Sequence, residues 1–380
     1  MVDNLFMPNS LLFRRWWAVV PLLTILGLVT VLAAGWWWPR TAPSYPITAA
    51  TARFSISANL ANRMRGVSWV GSDSITDIEL APLTRHNVTW IAQTPFGWQR
   101  GATSPTIGMN TGRGRVYWGE SDAGLIQTAQ LARKRGQYIL LKPHLWVRGD
   151  GTWPGDIRMT SEADWKAWFQ SYTTFILHYA ELAEHQKLDG LCIGTELEQT
   201  TTAAHEAEWR TLIKQIRQVY HGPLTYAANW SGEYEHIRFW DALDYIGIQA
   251  YFPLTKNSKP TKAELLAGWQ PHLKAIERVQ KRFSKPVVFT EMGYKCTPDA
   301  AVEPWVWPDR TAAFLQLDEG TQAACYAAMF ETFWPKRWFG GLFVWKWYPK
   351  LAADGPARRH ADFTPQHKQA AQVMAQWFGK

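Results

Sequence analysis

The stretch LDGLCIGTEL, residues 188–197, decides the fold that this sequence predicts. Its apolar run is typical of a strand buried on both faces, and it leads to the carboxylate of Glu196. A second run of the same kind, KPVVFTEMGY at residues 285–294, leads to Glu291. A carboxylate beside a buried strand is costly unless it is paired, hydrogen-bonded or used in chemistry. The two runs therefore predict a parallel sheet with polar groups at one edge.

Six further short apolar runs predict strands, and longer amphipathic runs between them predict helices. The further strands are expected at residues 64–70, 87–95, 137–147, 222–230, 243–253 and 340–349. The helices are expected at residues 121–135, 162–186, 205–220, 262–283, 321–338 and 365–378. The helices of the first and fifth units are the least clearly marked.

Eight alternations of strand and helix predict an α/β fold, a (β/α)8 TIM barrel, over residues 63–380. The alternative is an open, doubly wound sheet, which usually shows a glycine-rich nucleotide turn after its first strand. The sequence after the first predicted strand, Gly71-Ser72-Asp73, is not such a turn. Long loops at 99–119 and 295–320 follow strands, so they are expected on the catalytic face of the barrel.

An uncharged segment near the N-terminus, residues 16–38, is long enough to cross a bilayer as a helix. Arg14 and Arg15 precede it and tryptophans lie at both of its ends, as in a membrane anchor whose N-terminus is cytoplasmic. We therefore expect residues 1–15 in the cytoplasm, 39–62 as a linker, and the barrel outside the cytoplasmic membrane, periplasmic or extracellular. The alternative is a signal peptide cleaved after Ala33.

The composition is unusual in its 24 tryptophans. An indole offers a flat apolar face and one N–H donor, so it is a good platform for a sugar ring. The alternative is a barrel packed with large aromatic residues. The net charge is +8, but the basic residues are dispersed and form no nucleic-acid motif, so we expect no nucleic-acid partner.

Motifs for other chemistries are missing from the sequence. Cys192, Cys296 and Cys325 have no zinc-binding spacing, and neither HExxH nor GxSxG occurs. We therefore expect no metal site, no cofactor and no serine nucleophile. Cys192 is expected in the core, whereas a disulfide between Cys296 and Cys325 stays open.

The two glutamates fall on the fourth and seventh predicted strands, which lie on opposing sides of a barrel. Glu196 and Glu291 should then face each other across its mouth. Retaining glycosidases use two carboxyls about 5–5.5 Å apart, one as nucleophile and the other as acid and then base. The alternative for each glutamate is a structural salt bridge. Glu198 is the second choice for the position of Glu196.

Other strand ends contribute polar and aromatic side chains that we expect to bind the substrate. Lysine, histidine and asparagine can hydrogen-bond sugar hydroxyls, and Tyr251 is placed to hydrogen-bond a nucleophilic carboxylate. For the aromatic residues the alternative is core packing, and for His144 a structural role. The predicted substrate-binding residues are Trp69, Lys142, His144, Asn229, Trp230, Tyr251 and Trp345, with Trp347 beside the last of them.

Five segments resemble glycoside hydrolase family 113, the β-mannanase-like barrels of clan A. They occur in the expected order between residues 64 and 378, and the GTEL and FTEMGY motifs together are fairly specific. They are KPHLWVRGDGTWPGDI (142–157), IGTELEQT (193–200), AANW (227–230), FTEMGY (289–294) and FVWKW (343–347).

This resemblance implies a TIM barrel with endo-β-1,4-mannanase activity and retention of configuration. It also implies that Glu196 is the acid/base and Glu291 the nucleophile. One departure from the wider clan is Thr195, where an asparagine usually precedes the acid/base and holds the sugar 2-hydroxyl; Asn229 is a replacement. The alternatives are hydrolysis of another β-glycan or an exopolysaccharide, and a non-catalytic glycan-binding envelope protein, which would not need the two glutamates.

Overall fold

Eight parallel strands close into a barrel in the computed structural model, which describes residues 63–109, 117–149, 152–308, 316–354 and 360–380. The barrel closes where the first strand pairs in parallel with the last. In chain order the strands are β1 (Met64–Trp69), β2 (Trp90–Gln93), β3 (Phe96–Gln99), β4 (Ile107–Gly108), β5 (Tyr138–Leu141), β6 (His144–Val147), β7 (Gly190–Thr195), β8 (Leu224–Asn229), β9 (Ile246–Gln249), β10 (Val287–Met292) and β11 (Phe339–Trp347). All but β3, β4 and β6 belong to the barrel, so the predicted TIM-barrel fold is confirmed.

Every barrel strand is shorter than its predicted run, and three differ most. The run at residues 243–253 forms β9 only over Ile246–Gln249, so Tyr251 lies just after that strand. The run at residues 87–95 forms a barrel strand only as far as Gln93, and the run at 137–147 only as far as Leu141. His144, predicted at the end of the third barrel strand, instead begins β6. This strand pairs with β3, and β3 with β4, in a separate three-stranded sheet.

Prolines explain why the barrel strands stop there. Proline has no N–H to donate and is therefore excluded from the interior of a sheet. The backbone N–H of Lys142 still bonds to the carbonyl of Gln93 at 2.8 Å, but Pro143 follows it. Beyond the prolines the next bond runs from His144 N–H to the carbonyl of Pro95, 2.9 Å away. The two segments that follow β2 and β5 thus leave the barrel together and form the small sheet at its C-terminal end.

Helices follow the barrel strands, and most of their bounds lie within two residues of the predicted ones. The first and fifth, which the sequence marked least clearly, are nine and four residues long. The helices are α1 (Asp77–Arg85), α2 (Asp122–Lys134), α3 (Glu162–His185), α4 (Glu206–Val219), α5 (Glu233–His236), α6 (Lys262–Phe283), α7 (Glu319–Phe333) and α8 (Gln369–Phe378).

Two helix boundaries differ more strongly from the prediction. The helix expected to reach residue 338 ends at Phe333, because Pro335 has no backbone N–H with which to continue the helical hydrogen bonds. The helix expected from residue 365 begins at Gln369, because His367 has a φ of 63°, in the left-handed region.

Large aromatic residues fill the core both inside the barrel and between the barrel and its helices. Trp90, Tyr245 and Phe343 pack inside the barrel, where Gly66 is required: a Cβ there would lie 2.3 Å from the ring of Phe343. Six of the tryptophans are among the largest fully buried side chains, so core packing accounts for part of their excess. They are Trp90, Trp168, Trp209, Trp240, Trp269 and Trp347.

All three cysteines are buried and free. Cys192 lies inside the barrel, as predicted. The disulfide that the sequence left open between Cys296 and Cys325 does not form in this structure.

The predicted cytoplasmic segment (1–15), membrane segment (16–38) and linker (39–62) all lie outside the described residues. Within the described part of the chain, no helix combines the length and the apolar character needed to cross a bilayer.

Candidate active site

Glu196 and Glu291 both lie at the C-terminal rim of the barrel. Glu291 belongs to β10, and Glu196 directly follows the last residue of β7. The backbone N–H of Glu196 still bonds to the carbonyl of Ala227 in β8 at 2.9 Å. Its φ of 51° then turns the chain out of the barrel in the left-handed conformation. The C-terminal face of such a barrel is where active sites form.

Glu291 is buried, with 4% exposure, and both of its carboxylate oxygens have partners. The ammonium of Lys142 forms a buried ion pair with Oε1. The hydroxyl of Tyr251 donates to Oε2 at 2.8 Å. The carboxylate is therefore held at both oxygens, by a cation at one and by a hydroxyl donor at the other.

His144 reaches the same carboxylate without a hydrogen bond. Its Nε2 lies 3.6 Å from Oε1 of Glu291. Burial, and next the charge of Lys142, hold the pKa of His144 well below its usual value. The imidazole is therefore neutral at physiological pH, and Lys142 is the cation that balances Glu291.

Glu196 has a different environment, although part of its side chain faces the mouth. The amide of Asn229 donates to its Oε1 at 2.8 Å. Burial, and next the charge of Glu291, raise the pKa of Glu196 to about 8, whereas the Asn229 hydrogen bond lowers it. The Glu196 carboxyl is therefore mostly protonated at neutral pH, whereas Glu291 is paired with the ammonium of Lys142.

Trp345 forms an aromatic wall at this site. Its ring stacks on His144 with centroids 6.4 Å apart and planes 8° apart. The ammonium of Lys142 lies 5.8 Å from the centroid of the Trp345 ring. Trp345 is partly exposed, whereas Trp347, two residues further along β11, is buried with 2% exposure.

The two remaining predicted binding residues, Trp230 and Trp69, differ in their exposure. Trp230, after β8, is partly exposed and stacks on Trp305 at 4.8 Å, with Phe252 at its edge. Trp69 has only 4% exposure and packs in the hydrophobic core. The substrate-binding role of Trp69 stays a prediction, and its surroundings are those of a core residue.

Glu198, the second choice for the acid/base, lies on a different surface. It begins a short 3-10 helix and lines a cavity of about 520 Å³ together with Glu233, His236 and Arg282. Neither Glu196 nor Glu291 lines this cavity. The geometry therefore favours Glu196 over Glu198 as the partner of Glu291.

The sequence did not single out Glu233 or Trp305. Glu233 lies in the one-turn helix α5, where the sequence offers only the turn-like pattern Ser-Gly-Glu. Trp305, 40% exposed, belongs to the long loop after β10, and an EPWVW motif in a predicted catalytic-face loop was the available signal.

The fold and this site define a class of protein: a TIM-barrel hydrolase with two carboxyls at the ends of the fourth and seventh barrel strands, one with a raised pKa and one paired with a lysine. The model of Glycoside Hydrolase Family 113 matches residues 65–368. The chain belongs to this family and is a glycoside hydrolase.

Solved structures of family 113 β-mannanases are similar to this chain. The enzyme from Alicyclobacillus acidocaldarius is 29% identical with a TM-score of 0.72, covering 84% of this chain and 97% of its own. A second family 113 β-1,4-mannanase is 25% identical with a TM-score of 0.70, covering 84% of this chain and 99% of its own. A β-glucuronidase from Ruminococcus gnavus, 12% identical with a TM-score of 0.53, covers 83% of this chain and 49% of its own and shows the fold alone. No curated protein matches the chain.

Proposed function

We propose that this protein is a retaining endo-β-1,4-mannanase with Glu291 as nucleophile and Glu196 as acid/base. The substrate class is supported by two structures, 25% and 29% identical, that are described as β-mannanases of the same family. The observation that supports the roles is the contrast between the two carboxyls: Glu196 has a raised pKa, whereas Glu291 is paired with Lys142 and accepts from Tyr251. A pair of titratable groups whose environments separate their protonation states is the usual basis for acid and base assignments.

In the proposed first step, a carboxylate oxygen of Glu291 forms a bond to the anomeric carbon while the glycosidic C–O bond breaks. Glu196 gives its proton to the leaving oxygen. Lys142 and Tyr251 hold the nucleophile by its two oxygens. In the second step Glu196, now ionised, takes a proton from water as the water attacks the anomeric carbon and Glu291 is released.

Substrate contacts follow from the same arrangement. The partly exposed ring of Trp345 provides a floor for the sugar at the cleavage point, with the neutral His144 as a donor or acceptor for its hydroxyls. Trp230 and the Trp305 ring that stacks on it provide a second platform. Trp230 directly follows Asn229, the partner of the acid/base, so this platform lies on the leaving-group side.

The proposal includes an N-terminal membrane anchor at residues 16–38 and a catalytic domain outside the cytoplasm. It rests on the sequence: Arg14 and Arg15 before the uncharged segment, and tryptophans at its two ends.

The decisive experiment assays the purified full-length chain in detergent on mannan, glucomannan, xylan, cellulose and a bacterial exopolysaccharide. We expect cleavage of mannan at internal bonds, with the β-anomer of the new reducing end appearing first by ¹H NMR. The E196Q/E291Q double variant controls for contaminating activity. Initial release of the α-anomer would refute retention, and cleavage of another glycan without mannan would refute the substrate class.

A further inference from the structure

We propose that Glu233 is a positioning residue for the acid/base, holding Glu196 from two sides through Asn229 and Tyr226. This inference rests on the proposed role of Glu196. Glu233 lies in the one-turn helix α5 with 2% exposure, and it lines the cavity beside Glu198, which neither Glu196 nor Glu291 lines.

The first connection runs through Asn229. The backbone N–H of Asn229 donates to Oε2 of Glu233 at 2.6 Å. The side-chain carbonyl of Asn229 accepts from the backbone of Ser231 at 2.7 Å, which leaves its NH₂ group to donate to Oε1 of Glu196 at 2.8 Å. The orientation of the amide is thereby determined, and Glu233 anchors the backbone that bears it.

The second connection runs through Tyr226. Its hydroxyl donates to Oε1 of Glu233 at 2.6 Å and accepts from the backbone N–H of Leu197 at 2.7 Å. A phenol has a single hydrogen, so donation to Glu233 is what makes the oxygen an acceptor for Leu197. Leu197 is the residue directly after Glu196, whose φ of 51° is a conformation that non-glycine residues rarely adopt.

A third donor ties the following segment to the same carboxylate. The hydroxyl of Thr201 donates to Oε1 of Glu233 at 2.9 Å. Glu233 therefore collects three hydrogen bonds from two segments: two from β8, by Tyr226 and Asn229, and one from Thr201 after β7. All three donors are neutral, and a buried carboxylate served by neutral donors is expensive compared with an apolar residue of the same size. A purely structural requirement does not explain that choice, whereas positioning an acid does.

The charge of Glu233 also acts on Glu196. Burial raises the pKa of Glu233 to about 7, against the effect of its hydrogen bonds. In its ionised form it adds to burial and to Glu291 in raising the pKa of Glu196, while Lys142 acts in the opposite direction. Glu198 is the charged neighbour that raises the pKa of Glu233, and Tyr251 is the other titratable group that interacts with Glu196.

The test compares E233Q with E235Q. The substitution E233Q keeps the size of the side chain but replaces one acceptor oxygen with an NH₂ donor. The remaining oxygen can still accept from the backbone N–H of Asn229, which cannot turn away, so the NH₂ group faces the hydroxyls of Tyr226 and Thr201 and those two bonds are lost. Glu235, in the same helix, is partly exposed and pairs with Arg278 at 3.3 Å. E235Q therefore removes the same charge without touching the network and serves as the control.

We expect kcat/KM of E233Q to fall on the order of 100-fold on mannooligosaccharide, as when a reacting group is displaced. With a 2,4-dinitrophenyl β-mannooligosaccharide the fall should be much smaller, because that leaving group needs no proton. The high-pH limb of kcat/KM should move to lower pH, since a negative charge near Glu196 is removed. E235Q should match the wild type in all three measurements.

Equal losses on both substrates with an unchanged high-pH limb would show that Glu233 is only structural and overturn the proposal. If E233Q does not fold, Y226F replaces it: this variant removes one of the two connections but keeps the charge of Glu233. It should show a smaller loss, again selective for mannooligosaccharide, with the high-pH limb unchanged. A ¹³C NMR titration of the Glu196 carboxyl needs no substrate. A lowered pKa of Glu196 in E233Q supports the proposal even if mannan is the wrong glycan, and an unchanged one contradicts it.

Discussion

Tyr251 donates its phenolic hydrogen to Oε2 of Glu291 at 2.8 Å, from β9's end to the neighbouring strand β10. A hydrogen bond to a charged group contributes about 1.5–3 kcal/mol. The other oxygen of Glu291 is held by Lys142, so the tyrosine is what prevents the carboxylate from rotating about that ion pair.

Removing this hydroxyl should slow the formation of the covalent intermediate. We expect Y251F to lower kcat/KM by roughly 10- to 100-fold, the factor that corresponds to the lost hydrogen bond. Steady-state kinetics on mannooligosaccharide measure it, with the melting temperature as a control for folding. Wild-type kinetics in Y251F would mean that Lys142 alone positions the nucleophile.

Removing the nucleophile should have a different signature from removing the acid/base. E291A should be inactive with every leaving group, because no glycosyl-enzyme can form. Added azide can enter the space left by the side chain and attack directly, giving the α-glycosyl azide. Product anomers are read by NMR, and a β-azide from E291A would reverse the assignment.

Removing the acid/base should leave the first step possible for good leaving groups. E196A should be very slow on mannan but retain activity on a dinitrophenyl glycoside. Azide should then accelerate it by attacking the intermediate in place of base-activated water, giving the β-glycosyl azide. Full activity of E196A on mannan would move the acid/base role elsewhere, and E198A is the matched variant for that case.

The raised pKa of Glu196 predicts where activity declines on the alkaline side. An acid with a pKa of about 8 is protonated below that pH and loses its proton above it, so kcat/KM should fall as pH rises through about 8. The hydrogen bond from Asn229 lowers this pKa, so N229A should move the limb to higher pH. That shift is opposite in sign to the one expected for E233Q, and a shift to lower pH in N229A would contradict the assignment.

Two tryptophans of β11 form a matched pair for testing the sugar platform. W345A should raise KM and lower turnover with little loss of stability, because the ring is partly exposed at the mouth. W347A should instead destabilise the fold by about 3–5 kcal/mol, because its ring is buried. Urea unfolding and kinetics of both variants separate these effects. If W345A unfolds the domain while its folded fraction keeps wild-type kinetics, Trp345 is a core residue.

The membrane proposal predicts both a topology and an N-terminus. A reporter fused after Lys380 should be active only if it folds outside the cytoplasm. Mass spectrometry of the mature protein should detect an uncleaved N-terminal segment. Activity of a cytoplasm-only reporter would reject the orientation, and a mature protein that starts near Ala34 would replace the anchor with a signal peptide.

The sequence alone determined the barrel and the positions of Glu196 and Glu291. Strand and helix periodicities are local, and in a parallel barrel every strand delivers its last residues to the same rim. Prolines 95 and 143 were also visible, but their effect was not, since the small sheet depends on the pairing of two distant segments.

Tertiary structure alone decided which groups surround the two glutamates. Lys142 lies 149 residues from Glu291 in the chain, and no local pattern brings them together. Strand alternation would give Trp345 and Trp347 the same face, but an irregularity in the pairing of β11 with β1 separates them. Glu233 belongs to a single helical turn, and the hydrogen bonds to its carboxylate come from Thr201, Tyr226 and Asn229, which lie in other segments. Packing and burial across the whole barrel bring such partners together, and a local sequence pattern does not encode either of them.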